Sequence, residues 1–202
     1  MMTYIIIFVT VIVSLICFKN RTLFFKLSLN PYSVIRRKQW FRVLTHGFVH
    51  TNSMHLIINM FVLLSFGMSV EYRMVHIYGM GSLTFVLLYV FSLIFSALPD
   101  ISKYKNDYQY NSVGASGAVS AILFVSILFN PWGKLYLFYV LPIPSILFGV
   151  AYIIYSRYMS KRGGDNINHM SHVYGALFGI LFMVAIKPSL IVSFFSKLFY
   201  FI

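Results

Sequence analysis

The sequence predicts an all-α integral membrane protein with six spanning helices, at about residues 4–18, 54–70, 78–98, 114–130, 144–158 and 170–187. Three observations carry that prediction. Of 202 residues, 59% are hydrophobic, and the mean hydropathy is +0.81. Only 10% are charged, against about 25% in soluble domains, too few to clothe a surface in water. The apolar residues also come in six runs, several near the lower end of the ~17–25 residues a spanning helix needs. No repeat, linker or composition break divides residues 1–202, which read as a single membrane domain.

The first run has neither a basic leader nor a small-residue cleavage site and reads as a retained helix. Cys17 is the only cysteine, which excludes an intrachain disulfide. Residues 19–53 are amphipathic. They hold Lys19, Arg21, Lys26, Arg36, Arg37, Lys38 and Arg42 among Phe24, Phe25, Tyr32, Trp40, Phe41 and Phe48. Aromatic residues mixed with Lys and Arg suit a segment lying in the membrane interface. The formal charge of +12 therefore points to anionic lipid headgroups as a partner rather than to nucleic acid.

Glu71, Arg73 and His76 mark a short turn after the second run, and residues 99–113 form a polar, turn-rich loop. The fourth run ends at Pro131 after 17 residues, about 25 Å of helix and shorter than a ~30 Å hydrocarbon layer. Residues 131–143, with Pro131, Gly133 and Pro142, read as an interfacial turn leading to Pro144. Lys161, Arg162, Gly163, Gly164, Asp165 and Asn166 make a polar connection before the sixth run. The tail 188–202 either extends that last helix or lies along the interface.

Six spans put both termini on one side and the starts of the second, fourth and sixth helices on the other. His50, His55, Asn59, Ser116, His169 and His172 all fall near those starts. Polar groups at membrane depth are costly and point to function. Ser116 opens the fourth helix in Gly114-Ala115-Ser116-Gly117. A serine there can be a plain cap. It can also be a nucleophile beside free N–H groups able to hold an oxyanion. His55 and Asn59, at i and i+4, share a helix face and can either glue helices together or donate to that oxyanion. Gly175 and Gly179, following His172, form a small-residue face that matches Gly117 and Ala121. If the two faces meet, His172 reaches Ser116 and can act as its general base. A metal site is the competing use of the histidines. The absence of His-Glu-x-x-His and of carboxylates in the spans argues against it, and no cofactor is implied.

These motifs together resemble the rhomboid intramembrane serine proteases in their compact six-helix bacterial form. The likeness rests on Gly114-Ala115-Ser116-Gly117, His55-x-x-x-Asn59, His172-x-x-Gly175-x-x-x-Gly179, Trp40-Phe41-Arg42 and Glu71. It implies a rhomboid-like bundle and a Ser116–His172 catalytic dyad. It implies an oxyanion hole from His55, Asn59 and the Ser116 N–H. The substrates would be transmembrane proteins, cut in or near a spanning segment whose helix can unwind, in a lipid bilayer and without metal. The alternative is an inactive relative that binds membrane helices. The family often has an aromatic residue four after the serine, packed on the base. Here Ser120 stands there, so His172 must be steadied otherwise, with Tyr174 and His169 as candidates. Ser171 replaces a common alanine, with little effect expected.

The resemblance also implies a bacterial inner membrane and an active site facing away from the cytoplasm. Charge bias points the other way, with twelve Lys and Arg on the active-site side and only Arg73, Lys134, Lys187 and Lys197 opposite. The family orientation is the expectation adopted, because the first-loop charges belong to an interfacial segment.

Overall fold

A computed structural model of the chain describes residues 1–137, 140–163 and 167–200. Its helices are α1 (Met2–Lys19), α2 (Arg21–Leu27), α3 (Pro31–Arg36), α4 (Arg42–Thr45), α5 (Ser53–Tyr72), α6 (Ser82–Lys103), α7 (Ser116–Phe129), α8 (Ser145–Arg162), α9 (His169–Ile186) and α10 (Ser189–Tyr200). Six of them, α1, α5, α6, α7, α8 and α9, occupy the six predicted segments. Of these, α1, α5 with the wider turn Arg73–Ile77, α6 and α9 are long and apolar enough to cross a membrane. The other two depart in opposite ways. α7 has only 14 residues, about 21 Å at 1.5 Å per residue. α8 has 18 residues but carries Arg157, Lys161 and Arg162 toward its end. The chain is an all-α, multi-pass membrane protein.

Its packing fits a lipid solvent. Phe8, Ile57, Leu83 and Leu181 are each more than half exposed, while Thr3, Thr10, Ser14, Ser92, Ser96 and Ser120 are buried. In lipid, association does not depend on hiding apolar side chains. It depends on close approach and on satisfied polar groups, which small and hydroxyl-bearing residues allow. α7 is the centre of the bundle. Every residue of it except Ser116 and Ser126 is buried, and α5, α6, α8, α9 and α10 all pack on it.

Three local expectations change. Residues 131–143 do not form a simple turn. Strands β1 (Lys134–Leu137) and β2 (Leu141–Pro144) pair antiparallel, with Leu135 opposite Ile143. A two-stranded ribbon consists only of edges, so Pro142 and Pro144 cost it no interior ladder bond. α6 starts later than expected, after the positive-φ turn at Gly79 (φ 67°), and continues through Pro99 to Lys103. The tail does not extend α9. Pro188 disfavours helical geometry at Lys187, and α10 folds back onto α7 and α9.

The amphipathic stretch folds into α2, α3 and α4 plus a tight turn at His46–Phe48. Asn20 and Asn30 cap α2 and α3 by accepting from Leu23 N–H and Ser33 N–H. Arg42 holds the segment together. Its guanidinium donates to the carbonyls of Phe25 (2.6 Å) and Ser28 (2.8 Å) and to Gln39 Oε1 (2.6 Å). Trp40 and Phe41 beside it are 54% and 45% exposed. Leu29 and Ser112 exchange backbone bonds at 2.9 Å, tying this segment to the loop that leads into Ser116.

Glu71, at the end of α5, ties down the start of α1. Its carboxylate accepts from Met2 N–H (2.6 Å), Thr3 N–H (2.9 Å) and Thr3 Oγ1–H (2.7 Å). An acidic group at a helix N-terminus satisfies orphan N–H groups and opposes the helix dipole. Replacing Glu71 with Ala leaves those buried donors unpaired. The expected cost is about 2 kcal/mol, read as a lower thermal midpoint in detergent, with Glu71→Gln falling between the two.

Candidate active site

The site is assembled by one helix crossing. A side chain at Gly175 of α9 would overlap the carbonyl oxygen of Gly117 on α7, and one at Gly179 would lie 2.7 Å from Ala121 O. One turn apart on each helix, these positions let the two backbones touch along two turns. Gly117 is closed from a third side as well: a Cβ there would strike Ser96 Oγ of α6 and sit 3.1 Å from Ser171 Oγ. The small faces therefore meet, and the starts of α7 and α9 lie side by side. Ser116 is the first residue of α7, and His172 stands in the first turn of α9. The cap position of α7 belongs to Ala115, so Ser116 stands one residue inside the helix and not at its cap.

His55 reaches the same end from the first turn of α5. Gly114 has φ 123°, and a Cβ on it would lie 2.8 Å from His55 Cε1 and 2.9 Å from Nε2. Both the backbone angle and the imbricated ring require glycine here. His55 Nδ1 meets Thr51 Oγ1 at 3.2 Å, which leaves Nε2 toward Gly114. Asn59, one turn on and 5% exposed, gives one of its amide N–H groups to His55 O at 2.9 Å.

His50 fixes the chain just before the serine. It is fully buried. Its Nε2 accepts from Ala115 N–H at 3.4 Å, and its Nδ1 meets Ser14 Oγ at 2.9 Å. Ser14 Oγ–H in turn donates to Phe48 O at 2.9 Å. This relay admits one assignment: the proton sits on His50 Nδ1, and Nε2 is an acceptor. Gly114 N–H donates to His46 O at 3.0 Å, so two histidine residues hold two consecutive amides just before Ser116. Burial pushes His50 down to about 3, with His55 adding to the effect, and pushes His46 down to about 4. Both are neutral at pH 7. His50 stood out in the sequence by position, but nothing there assigned it this bracing role.

His172 is steadied by a residue that sequence reasoning did not single out. The ring of Tyr152, on α8, stacks on it with centroids 6.0 Å apart and planes 16° apart. The Tyr152 hydroxyl pairs with Ser120 Oγ at 2.7 Å. His169 meets His172 edge-on at 5.8 Å. Tyr174 is 41% exposed and makes no such stack. The available signal was the small residue at Ser120, which leaves room for a ring from elsewhere.

Ser116, His172, His55 and Asn59 all line one cavity of about 1610 Å³. It continues between α5, through Phe61, Val62 and Ser65, and α8, through Phe148 and Tyr152. On its polar side, buried Asp100 accepts from Tyr110 Oη–H at 2.7 Å and from Asn168 Nδ2–H. Asn168 also caps α9 through Ser171 N–H. Asp100 thus joins the loop before Ser116 to the helix that carries His172. Gly163 is described, with φ 64°. Gly164, Asp165 and Asn166 lie outside the described residues.

Residues 37–189 match the family model of the Rhomboid domain. RHOMBOID-like protein 12, mitochondrial, from Arabidopsis thaliana is 27% identical to this chain over 143 residues, covering 66% of this chain and 43% of the relative. The chain thus spans less than half the length of that relative.

The buried neutral histidines set a pH dependence. In the unfolded chain both titrate near 6.5, whereas in the fold His46 and His50 do so near 4 and 3. The unfolded state binds more protons between these values, so stability falls as pH drops from about 6.5 toward 4. The thermal midpoint should decline over that window. His50→Gln should be less stable at pH 7.5 and show a shallower acid slope; an unchanged slope would remove His50 from the account.

Proposed function

The chain belongs to the rhomboid family, and from that premise we propose that it is an intramembrane serine endopeptidase working through a Ser116–His172 dyad. The observation that carries this reading is the glycine crossing of α7 and α9, which brings the only serine at the α7 start beside the first turn of α9. In the reaction, Ser116 Oγ attacks a peptide carbonyl while its proton passes to the neutral His172 imidazole. The C–N bond then breaks as His172 returns that proton to the leaving amine. Water repeats the sequence to release the acyl group.

The developing oxyanion is held by the Ser116 N–H at the positive end of α7, by His55 Nε2–H, and by the remaining N–H of Asn59. Thr51 supports this assignment if its hydroxyl donates to His55 Nδ1, since the ring proton is then on Nε2. A substrate span approaches between α5 and α8, where the cavity extends from the site. A helix hides its carbonyls in hydrogen bonds, so the segment to be cut must unwind first. Small or helix-breaking residues favour that. The substrates are therefore transmembrane proteins with such a segment.

The site faces away from the cytoplasm in a bacterial inner membrane. The first-loop charges oppose this orientation less than their number suggests. Arg42 is held by two carbonyls and Gln39, and Arg36 Nη2 donates to Asn106 Oδ1 at 3.2 Å. These two cations serve the fold of the loop, while the remaining Lys and Arg residues still favour the opposite orientation.

A fluorophosphonate probe should label the wild-type protein at Ser116. Ser116→Ala should abolish labelling and His172→Ala should reduce it at least a hundredfold, both with retained thermal midpoints. Equal labelling of either variant would end the dyad reading. For orientation, Lys105→Cys in a Cys17→Ser background should react with an impermeant maleimide in intact cells; protection would place the loop inside.

A further inference from the structure

We propose that Tyr152 is the positioning residue of His172 and that, through it, the base is aligned only while α8 is seated against α7. This rests on the proposed dyad. Three observations carry it. The Tyr152 ring lies nearly parallel to the imidazole, 6.0 Å away. Its hydroxyl is pinned to Ser120 Oγ of α7 at 2.7 Å, one turn beyond Ser116. Finally, Tyr152 lies on the wall of the cavity that runs between α5 and α8.

The ring touches neither Ser116 nor a substrate carbonyl by this account; it acts on His172. A flat contact restricts imidazole rotation without engaging the in-plane ring nitrogens that proton transfer uses. The Ser120–Tyr152 bond fixes the tyrosine in turn, so α7 supplies the nucleophile and also the anchor of the group that aligns its base. Beyond Tyr152, the ring of Tyr155 meets His169 of α9 edge-on at 5.7 Å, and the other attachments of α8 to the α7 side lie lower. Ser145 Oγ donates to the carbonyls of Asn130 and Pro131, and Gly149 approaches α7 so closely that a Cβ would stand 2.8 Å from Ile127 Cδ1 and 3.5 Å from the Phe124 ring. Moving α8 outward to widen the groove stretches the Ser120 bond and withdraws the ring from His172. Groove opening and base alignment are therefore coupled through one side chain. The catalytic step would then favour the state in which α8 has closed again around the bound segment.

The test uses the full-length protein in detergent micelles and a small fluorophosphonate probe, whose reaction reports on the nucleophile and base without filling the groove. Tyr152→Leu should slow Ser116 labelling about tenfold, a fraction of the 10²–10⁴ a general base supplies. Tyr152→Phe and Ser120→Ala should each slow it a few-fold. Their double variant should be no slower than either single one, because both remove the same bond. Gly149→Leu, which lifts α8 from α7, should slow labelling in the wild-type background and add nothing in Tyr152→Leu. A wild-type rate in Tyr152→Leu overturns the positioning role. Additive losses with Gly149→Leu overturn the link to α8.

A second readout does not depend on activity. The His172 Hε1 resonance, assigned by its loss in His172→Gln, should be shielded by the tyrosine face and move downfield in Tyr152→Leu. An unmoved resonance contradicts the stack. If the wild-type protein fails to label at all, the protease reading falls, while this resonance still decides whether Tyr152 holds His172.

Discussion

The structure depends on the contact between two glycine faces. α7 is the shortest of the six main helices and the most buried, and its register against α9 is set where Gly117 and Ala121 meet Gly175 and Gly179. With a methyl group at Gly175 the helices could not approach as they do. In lipid this closeness replaces the hydrophobic effect as the source of specificity, because dispersion contacts and backbone proximity are what a bilayer leaves available. Everything at the site follows from that crossing: which turn of α9 faces Ser116, where Ser171 fits, and why His172 stands at the same depth as the start of α7.

Around the crossing, the chain braces the Gly114–Gly117 motif with groups that carry no net charge. Gly114 accepts the His55 ring against its backbone, His46 takes the Gly114 N–H through its carbonyl, and His50 relays Ala115 N–H to Ser14 and Phe48. Neutral bonds cost less desolvation than ion pairs in such surroundings. Two of the described carboxylates work elsewhere. Glu71 fastens the start of α1, and Asp100 joins Tyr110 to the cap of α9. These two carboxylates serve helix ends, and the ring that stacks on His172 is that of Tyr152.

Much of the fold was legible because hydropathy in a membrane chain is nearly a direct record of burial in lipid. The six runs, the short fourth helix and the small-residue faces could all be read from residue type and spacing. What could not be read depended on neighbours far apart in sequence. Tyr152 stacks on His172 from another helix, and no local pattern marks it; only the small side chain at Ser120 hints at the space it fills. The β1–β2 ribbon escaped notice because its prolines signal turns, and only an edge-only ribbon tolerates them. The end of α6 was misplaced because Pro99 reads as a helix stop, whereas Asp100, anchored by Tyr110 and Asn168, secures the turn beyond it.

The most direct measurement is made on the chain reconstituted in liposomes with a single-span substrate protein whose spanning segment contains glycine or proline, with the products mapped by mass spectrometry. The account predicts that the wild-type protein generates a new N-terminus within or beside the spanning segment and that the Ser116→Ala protein, equally folded, generates none. Cleavage that persists without the Ser116 hydroxyl, or a wild-type protein that leaves every such span intact, would contradict it.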